Sequence, residues 1–393
     1  MPTSLRVHPS SLTVSQLLIL LLGRFTFNTG FRIIYPLLPV LADGLDVSLE
    51  MASLLVTVQV AVVLLSPLGG RIADVRGERF CMLFGLTVFT LGALICALTR
   101  QYGLFLLGYA LIGLGTALYM PSVQAYASVR SDYSQRARVL GILELSWAFA
   151  ALVGVAGLTV LIGRWGSWAP AFWVLGGLGA LVWGVTLGLP DDSEGRRIAG
   201  RSARRWLVSA RIPILAALAL IFFEMLASEL IFVVYASWLQ RDFGATTAQL
   251  GLIFGVLGLI ELAGSLAATL FTDRFGKRRA VVSGFLLVVL FQALLPLSSG
   301  HWGLFLVLFL LFDLCFEFAV VSSFPLLSGL TDEGRGTVLA LGVAMSGLGR
   351  VVGSLAGPQI FGEVGFWAIG LLAAVSALIG ALLCLGFVRE GQA

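Results

Sequence analysis

Gly70-Arg71-Ile72-Ala73-Asp74-Val75-Arg76-Gly77-Glu78-Arg79 is a cluster of charge set between two long apolar runs. It returns as Thr269-Leu270-Phe271-Thr272-Asp273-Arg274-Phe275-Gly276-Lys277-Arg278. Asp74 aligns with Asp273, Gly77 with Gly276 and Arg79 with Arg278, each pair 199 residues apart. The register holds further along the chain. Asp43 aligns with Asp242 and Gly154 with Gly353, and the stretch from Gln135 to Leu140 aligns with that from Gly334 to Leu339. One half of the protein therefore repeats the other.

The runs between these clusters fix the class. The 393 residues are 59% hydrophobic and 12% charged, with a mean hydropathy of +1.00. A soluble domain carries about 25% charged residues. Apolar runs of about 20 residues recur throughout, each long enough to cross roughly 30 Å of hydrocarbon as a helix. They are continuous, not alternating, which excludes a β-barrel. Twelve spans fit, at 13–42, 50–72, 80–99, 102–126, 138–162 and 169–189, then 211–240, 246–272, 280–298, 302–329, 337–361 and 365–387. The expected fold class is an all-α membrane protein of two six-helix bundles, 1–189 and 211–393. A polar linker at 190–210 joins them, with Gly and Pro at its start.

The net charge of +4 does not mark a nucleic-acid binder, because of where it sits. Nineteen of the 25 Lys and Arg residues lie in the termini, the linker and alternate loops. The positive-inside rule places these in the cytoplasm, with both termini inside and the chain in a prokaryotic cytoplasmic membrane. The residues before Thr13 are too short and polar for a secretory signal. Cys81, Cys96, Cys315 and Cys384 lie in or at the ends of apolar runs, form no Cys-x-x-Cys, and read as inert thiols.

Six helices per repeat preserve topology, so the halves are parallel repeats about an axis along the membrane normal. In that architecture the substrate site lies near the midplane between the halves, and transport is rocking of one half on the other. With the Gly-x-x-x-Asp-x-x-Gly-x-Arg of Gly70, Asp74, Gly77 and Arg79 between spans two and three, the whole chain resembles a major facilitator superfamily transporter. The second copy departs from the motif at its first position, Thr269.

The resemblance implies a gating role for Gly70, Asp74, Gly77, Arg79, Asp273, Gly276 and Arg278. In such transporters the matching Asp meets the start of the eleventh helix and closes the cytoplasmic side in one state. An anion at a helix N-terminus is worth roughly 0.3–1 kcal/mol exposed and up to about 2 partly buried, enough to bias a two-state rocker. Gly77 allows a tight turn. Arg76, Arg79 and their echoes are expected at anionic lipid headgroups. Two further family patterns are incomplete. The glycine-rich fifth span has Gly154 and Gly157 but no proline, and Gly357-Pro358 occurs in its repeat partner instead. Gly349, Gly353 and Gly357 recur every four residues, which lets helices approach closely. Before Gly113-x-Gly115 in the fourth span, Tyr109 stands where the family has Arg.

Nine charges lie inside spans, where each costs about 2.5–3.5 kcal/mol on insertion scales. They are Arg24, Arg32, Arg350, Glu144, Glu224, Glu229, Glu261, Asp313 and Glu317. Arg24, Asn28, Arg32 and Tyr35 share one face of the first span, which in this fold lines the cavity. With Glu144, Trp147 and Tyr235 they are the candidate substrate-binding residues. Trp147 is the candidate for stacking on an organic substrate. Glu224, Glu229, Glu261, Asp313, Glu317 and Arg350 are the candidate proton-coupling residues. Asp313 and Glu317, four apart, resist joint ionisation, as a proton-carrying site requires. Arg350 is expected to pair with one of them. Glu229 lies about 140° around its helix from Glu224 and is expected to face elsewhere. The structural alternative is a set of fixed ion pairs, Arg350 with Asp313 or Glu317 and Arg24 or Arg32 with Glu144, and Glu261 satisfied by hydroxyls.

Absences narrow the function. Lys277 is the only lysine, and no Gly-x-x-x-x-Gly-Lys-[Ser/Thr] occurs, which excludes an ATP-driven pump. His8 and His301 supply no metal spacing and no histidine relay. The expectation is a non-enzymatic, cofactor-free, monomeric secondary transporter. Its partners are protons, membrane lipid and a small amphipathic or cationic substrate, exported by antiport. The alternatives are a symporter or exchanger of an anion held by Arg24 and Arg32, a lipid or lysolipid carrier, and a membrane sensor on a degenerate transporter fold.

Overall fold

A computed structural model describes residues 12–131, 133–191, 212–330 and 335–388. The chain there is helical. The first half contains α1 (Val14–Arg32), α2 (Ile34–Gly44), α3 (Leu49–Val63), α4 (Ser66–Arg76), α5 (Glu78–Leu98), α6 (Tyr102–Val129), α7 (Tyr133–Phe149), α8 (Ala156–Trp165) and α9 (Ala169–Thr186). A π-helical stretch, Ala150–Val155, joins α7 to α8. The second half contains α10 (Ile212–Phe232), α11 (Tyr235–Phe243), α12 (Thr247–Phe275), α13 (Lys277–Leu294), α14 (Trp302–Ser328), α15 (Arg335–Glu363) and α16 (Phe366–Phe387).

The extra helices are spans that break for local reasons. Pro36 has no N–H to give the Arg32 carbonyl, and the first span breaks at Ile33. Pro67 does the same to Val63, and the second span divides at Leu64–Leu65. The seventh span breaks between α10 and α11 at Val233–Val234, where two β-branched residues meet. Ser48 and Thr246 cap the starts of α3 and α12, within one residue of the same point of the repeat. Among the described residues, ten helical segments are each long and apolar enough to cross a bilayer. The second span reaches that length only as α3 and α4 together.

Packing repeats with the sequence. In the first half α5 packs on α6 and α9, and α3 on α6. In the second half α13 packs on α14 and α16, and α12 on α14. The seam between the halves is formed by α3 against α15, by α12 against α7, the π-stretch and α8, and by α2 against α11. The glycine ladder fixes one wall. A Cβ on Gly349 would collide with the Phe222 carbonyl, one on Gly353 would lie 2.8 Å from the Glu229 Cβ, and one on Gly357 would lie 2.7 Å from Val233. So α15 rides on α10 at backbone distance. Many leucines and valines on the outside are exposed, as lipid-facing positions are.

The charged clusters at 70–79 and 269–278 prove to be helix on both sides of a single glycine. Gly77 and Gly276 turn the chain with φ of +94° and +86°. Arg79 and Arg278 each donate to a carbonyl in the last turn of a neighbouring span, Leu187 for Arg79 and Leu385 for Arg278. Both cations thus cap helix C-termini, where the macrodipole favours positive charge. A Cβ on Gly70 would meet nothing within 4 Å, whereas one on Gly69 would lie 2.5 Å from the Ala117 carbonyl oxygen. The close approach therefore falls on Gly69, and the open space at Gly70 explains why its repeat partner can be Thr269. The side chains of Asp74 and Asp273, and the linker from residue 192 to 210, lie outside the described residues.

Candidate functional site: an inter-bundle cavity

A cavity of about 840 Å³ lies between the halves. Phe31, Arg32, Tyr35, Glu144 and Trp147 form its first-half wall. Phe254, Glu261, Ser265, Phe316, Glu317 and Arg350 form the facing wall. The lining continues through Gln124, Thr269, Phe324 and Val343 toward the basic end of the bundle, the end that carries Gly77 and Gly276. At the other end it stops at an aromatic layer. Tyr35 and Tyr235 lie 6.3 and 6.2 Å from Phe254, and Trp238 is buried behind them. Where α3 meets α15, the hydroxyls of Thr57 and Ser354 meet across the seam at 2.8 Å. The cavity thus faces the basic end and is shut at the opposite one.

The intramembrane charges sort into three ion pairs and three lone acids. Arg32 Nη1 and Nη2 each lie 2.6 Å from an oxygen of Glu261, a bidentate pair joining the first half to the second. Its guanidinium stands 4.3 Å from the Trp147 ring and 4.9 Å from the Phe254 ring. Arg24 Nη2 donates to Glu144 Oε2 at 2.8 Å within the first half. Arg350 Nη1 lies 3.3 Å from Glu229 Oε2 and 3.3 Å from the Tyr35 hydroxyl, which itself donates to Glu229 at 3.2 Å. Bidentate and charge-assisted bonds of this kind are strong and directional.

Glu317 has a hydroxyl partner, Ser265, at 2.5 Å. Neither oxygen of Glu224 and neither oxygen of Asp313 has a hydrogen-bond partner among the described residues, and both side chains are buried. Glu317 lies within electrostatic reach of Glu224. Glu261, Glu317 and Arg32 lie within reach of Asp313.

Several expectations change. Arg350 pairs with Glu229 and Tyr35, not with Asp313 or Glu317. Glu261 is satisfied by Arg32 and not by hydroxyls. Arg24 and Asn28 do not line the cavity. They turn to the fifth span, Arg24 to Glu144 and Asn28 Nδ2 to the Ser146 hydroxyl at 3.0 Å. The four-residue stripe on the first span therefore divides between two neighbours. Tyr235 is also off the cavity, packed on Phe254 and Phe309. Glu229 does face away from Glu224, because α15 covers its side of α10. Trp147 lines the cavity as expected, but its ring already holds the Arg32 guanidinium. Tyr109, at the family's Arg position, donates to the Gly30 carbonyl at 2.9 Å and seals spans one and four together.

Sequence reading named Glu261, Glu317 and Arg350 of the second-half wall and missed Phe254, Ser265 and Phe316. Phe254 and Glu261 are seven residues apart on α12 and so share a face. That spacing was available, but Phe254 is one apolar residue among many. Ser265 and Gln124, polar residues in apolar helices, were the better signal.

The Major Facilitator Superfamily model matches residues 20–225 and 217–393. The chain belongs to the major facilitator superfamily. It is an integral multi-pass membrane transporter, not an enzyme. Among similar proteins, the uncharacterised MFS-type transporter YwfA of Bacillus subtilis is 26% identical over 93% of this chain and 90% of that protein. The quinolone resistance protein NorA of Staphylococcus aureus is 22% identical over 88% and 90%. The crystal structure of a D-xylose–proton symporter superposes with a TM-score of 0.82 at 18% identity, covering 97% of this chain and 99% of the other. The inward-open xylose transporter XylE of Escherichia coli gives 0.78 at 17% identity over 96% of each. These two superpositions establish the fold of this facilitator.

Proposed function

We propose that this facilitator is a proton-coupled exporter of an amphipathic organic cation, with both termini and the open mouth of the cavity on the cytoplasmic side of a bacterial cytoplasmic membrane. The observation that carries the reading is the state of Glu224 and Asp313, each buried with both oxygens unpartnered among the described residues. A bare carboxylate in such surroundings is too costly to remain charged, so the group holds a proton until a cation or water reaches it. With Glu317, these acids give the second half a set of sites that exchange a proton for a visiting cation. The cavity wall suits such a cargo. It is mainly aromatic and aliphatic, within the usual 300–1,000 Å³ of small-molecule sites, and Glu144 exposes its carboxylate on it. The similarity to a quinolone resistance protein supports export of an organic compound.

The anionic-cargo reading has less support, because Arg24 and Arg32 are both already paired with carboxylates. The test is transport in proteoliposomes under an imposed pH gradient. Glu224→Gln, Asp313→Asn and Glu317→Gln should each abolish the response to the gradient. If all three variants still respond, proton antiport is wrong.

A further inference from the structure

Arg32 occupies a site built for a cation. Its guanidinium lies over the faces of Trp147 and Phe254 and makes two hydrogen bonds to Glu261, with all four residues on the cavity wall. An aromatic face and a carboxylate are what bind a guanidinium or ammonium ligand. Arg32 Nε has no hydrogen-bond partner among the described residues, so only part of the guanidinium is engaged there. Two walls of the cage, Phe254 and Glu261, come from α12, and Trp147 and Arg32 come from the first half. The cage is therefore complete only while the halves are in register at this level.

We propose that Trp147, Phe254 and Glu261 form a cation cage in which Arg32 is an internal occupant, and that a guanidinium- or ammonium-bearing ligand entering from the cavity takes its place. Arg32 is then a tethered competitor, not a direct substrate contact. Without a ligand its bidentate bond to Glu261 pins the two halves together. When a ligand cation satisfies Glu261, the pin is released and the halves are free to rock. The freed guanidinium has a carboxylate to turn to in Glu144, three residues before Trp147 on α7 and 57% exposed on the cavity wall, which Arg24 engages through Oε2. One arrangement would thus hold the empty carrier in the state that faces the basic end and let a loaded one move. For its natural ligand the idea rests on the cationic-cargo reading. The cage itself does not.

Phenylguanidinium, with phenylurea as its neutral isostere, separates the two. In purified Arg32→Ala protein the cage is vacated. Millimolar phenylguanidinium should raise the melting temperature and change the tryptophan fluorescence, and phenylurea should do neither. The fluorescence change should vanish in Arg32→Ala/Trp147→Phe. Equal effects of the two compounds would overturn the cage. Should Arg32→Ala fail to fold, the wild type serves. Phenylguanidinium should then bind at least about tenfold more tightly than phenylurea, and Trp147→Phe should remove about tenfold of its affinity. Unchanged affinity in Trp147→Phe would overturn the proposal while leaving cationic cargo intact. Rescue of Arg32→Ala with no transport of any organic cation would support the cage and sink the cargo reading.

Discussion

Gly77 and Gly276 stand 199 residues apart and turn the chain with nearly the same backbone, φ +94° and ψ 150° for one, φ +86° and ψ 134° for the other. This region of backbone space is essentially reserved for glycine and costs other residues about 1–3 kcal/mol. Gly77→Ala and Gly276→Ala should each lower the melting temperature in detergent. Gly70→Ala should not, since its Cβ has open space and sits within a helix. Equal destabilisation by all three would mean that the motif's glycines act through something other than backbone shape.

The glycine ladder gives a second prediction. Gly349→Ala and Gly353→Ala each push a methyl group into α10, and overpacking of this kind costs about 1–3 kcal/mol. Gly177→Ala and Gly184→Ala, with nothing within 4 Å, serve as controls. Thermal unfolding of the four variants checks the order.

Buried acids with and without partners should behave in opposite ways. Glu229→Gln strips the part-buried Arg350 of its counter-charge, and since breaking a fully buried pair costs about 3–5 kcal/mol, the loss here should approach that range from below. Asp313→Asn removes no bond seen among the described residues and should change stability by less than about 1 kcal/mol. Asp313→Asn is thus expected to be a stable protein with lost coupling, and Glu229→Gln an unstable one. Melting temperatures set beside transport rates decide this.

The shut end must open for alternating access. The Thr57 and Ser354 hydroxyls are 2.8 Å apart, which brings their side chains within disulfide reach. Oxidised Thr57→Cys/Ser354→Cys protein should be locked and transport-dead, with activity restored by reductant. Transport unaffected by a completed cross-link would show that this seam does not part.

Fold and membrane insertion were legible because both rest on repetition. Twelve apolar runs and a constant register leave one architecture. The acidic second half was legible too, and Glu229 was rightly turned from Glu224 by helical geometry alone. Partner choice was not. Arg32 finds Glu261 across 229 residues, and no local pattern encodes a contact made by docking one bundle on another. Arg24 and Asn28 share a face with Arg32, yet a helix face wide enough to touch two neighbours does not say which residue meets which. Gly69 and Gly70 are adjacent and chemically alike. Only the position of α6 tells which one needs to be small.

The cross-seam pairing has a consequence for how the halves came to differ. Shifted by the repeat distance, Arg32 falls on Ile231, Glu261 on Val62, Arg350 on Ala151 and Glu229 on Gly30. Asp313 and Glu317 fall on Leu114 and Leu118. Every one of these ionic groups has a neutral twin, so the duplicated scaffold has been kept while its inner lining has specialised into a lock and a key. By the same register, two copies of the first half would set Arg32 against a valine, and two copies of the second would set Glu261 against an isoleucine. What began as a symmetric pair has become an obligate couple, each side carrying what the other lacks.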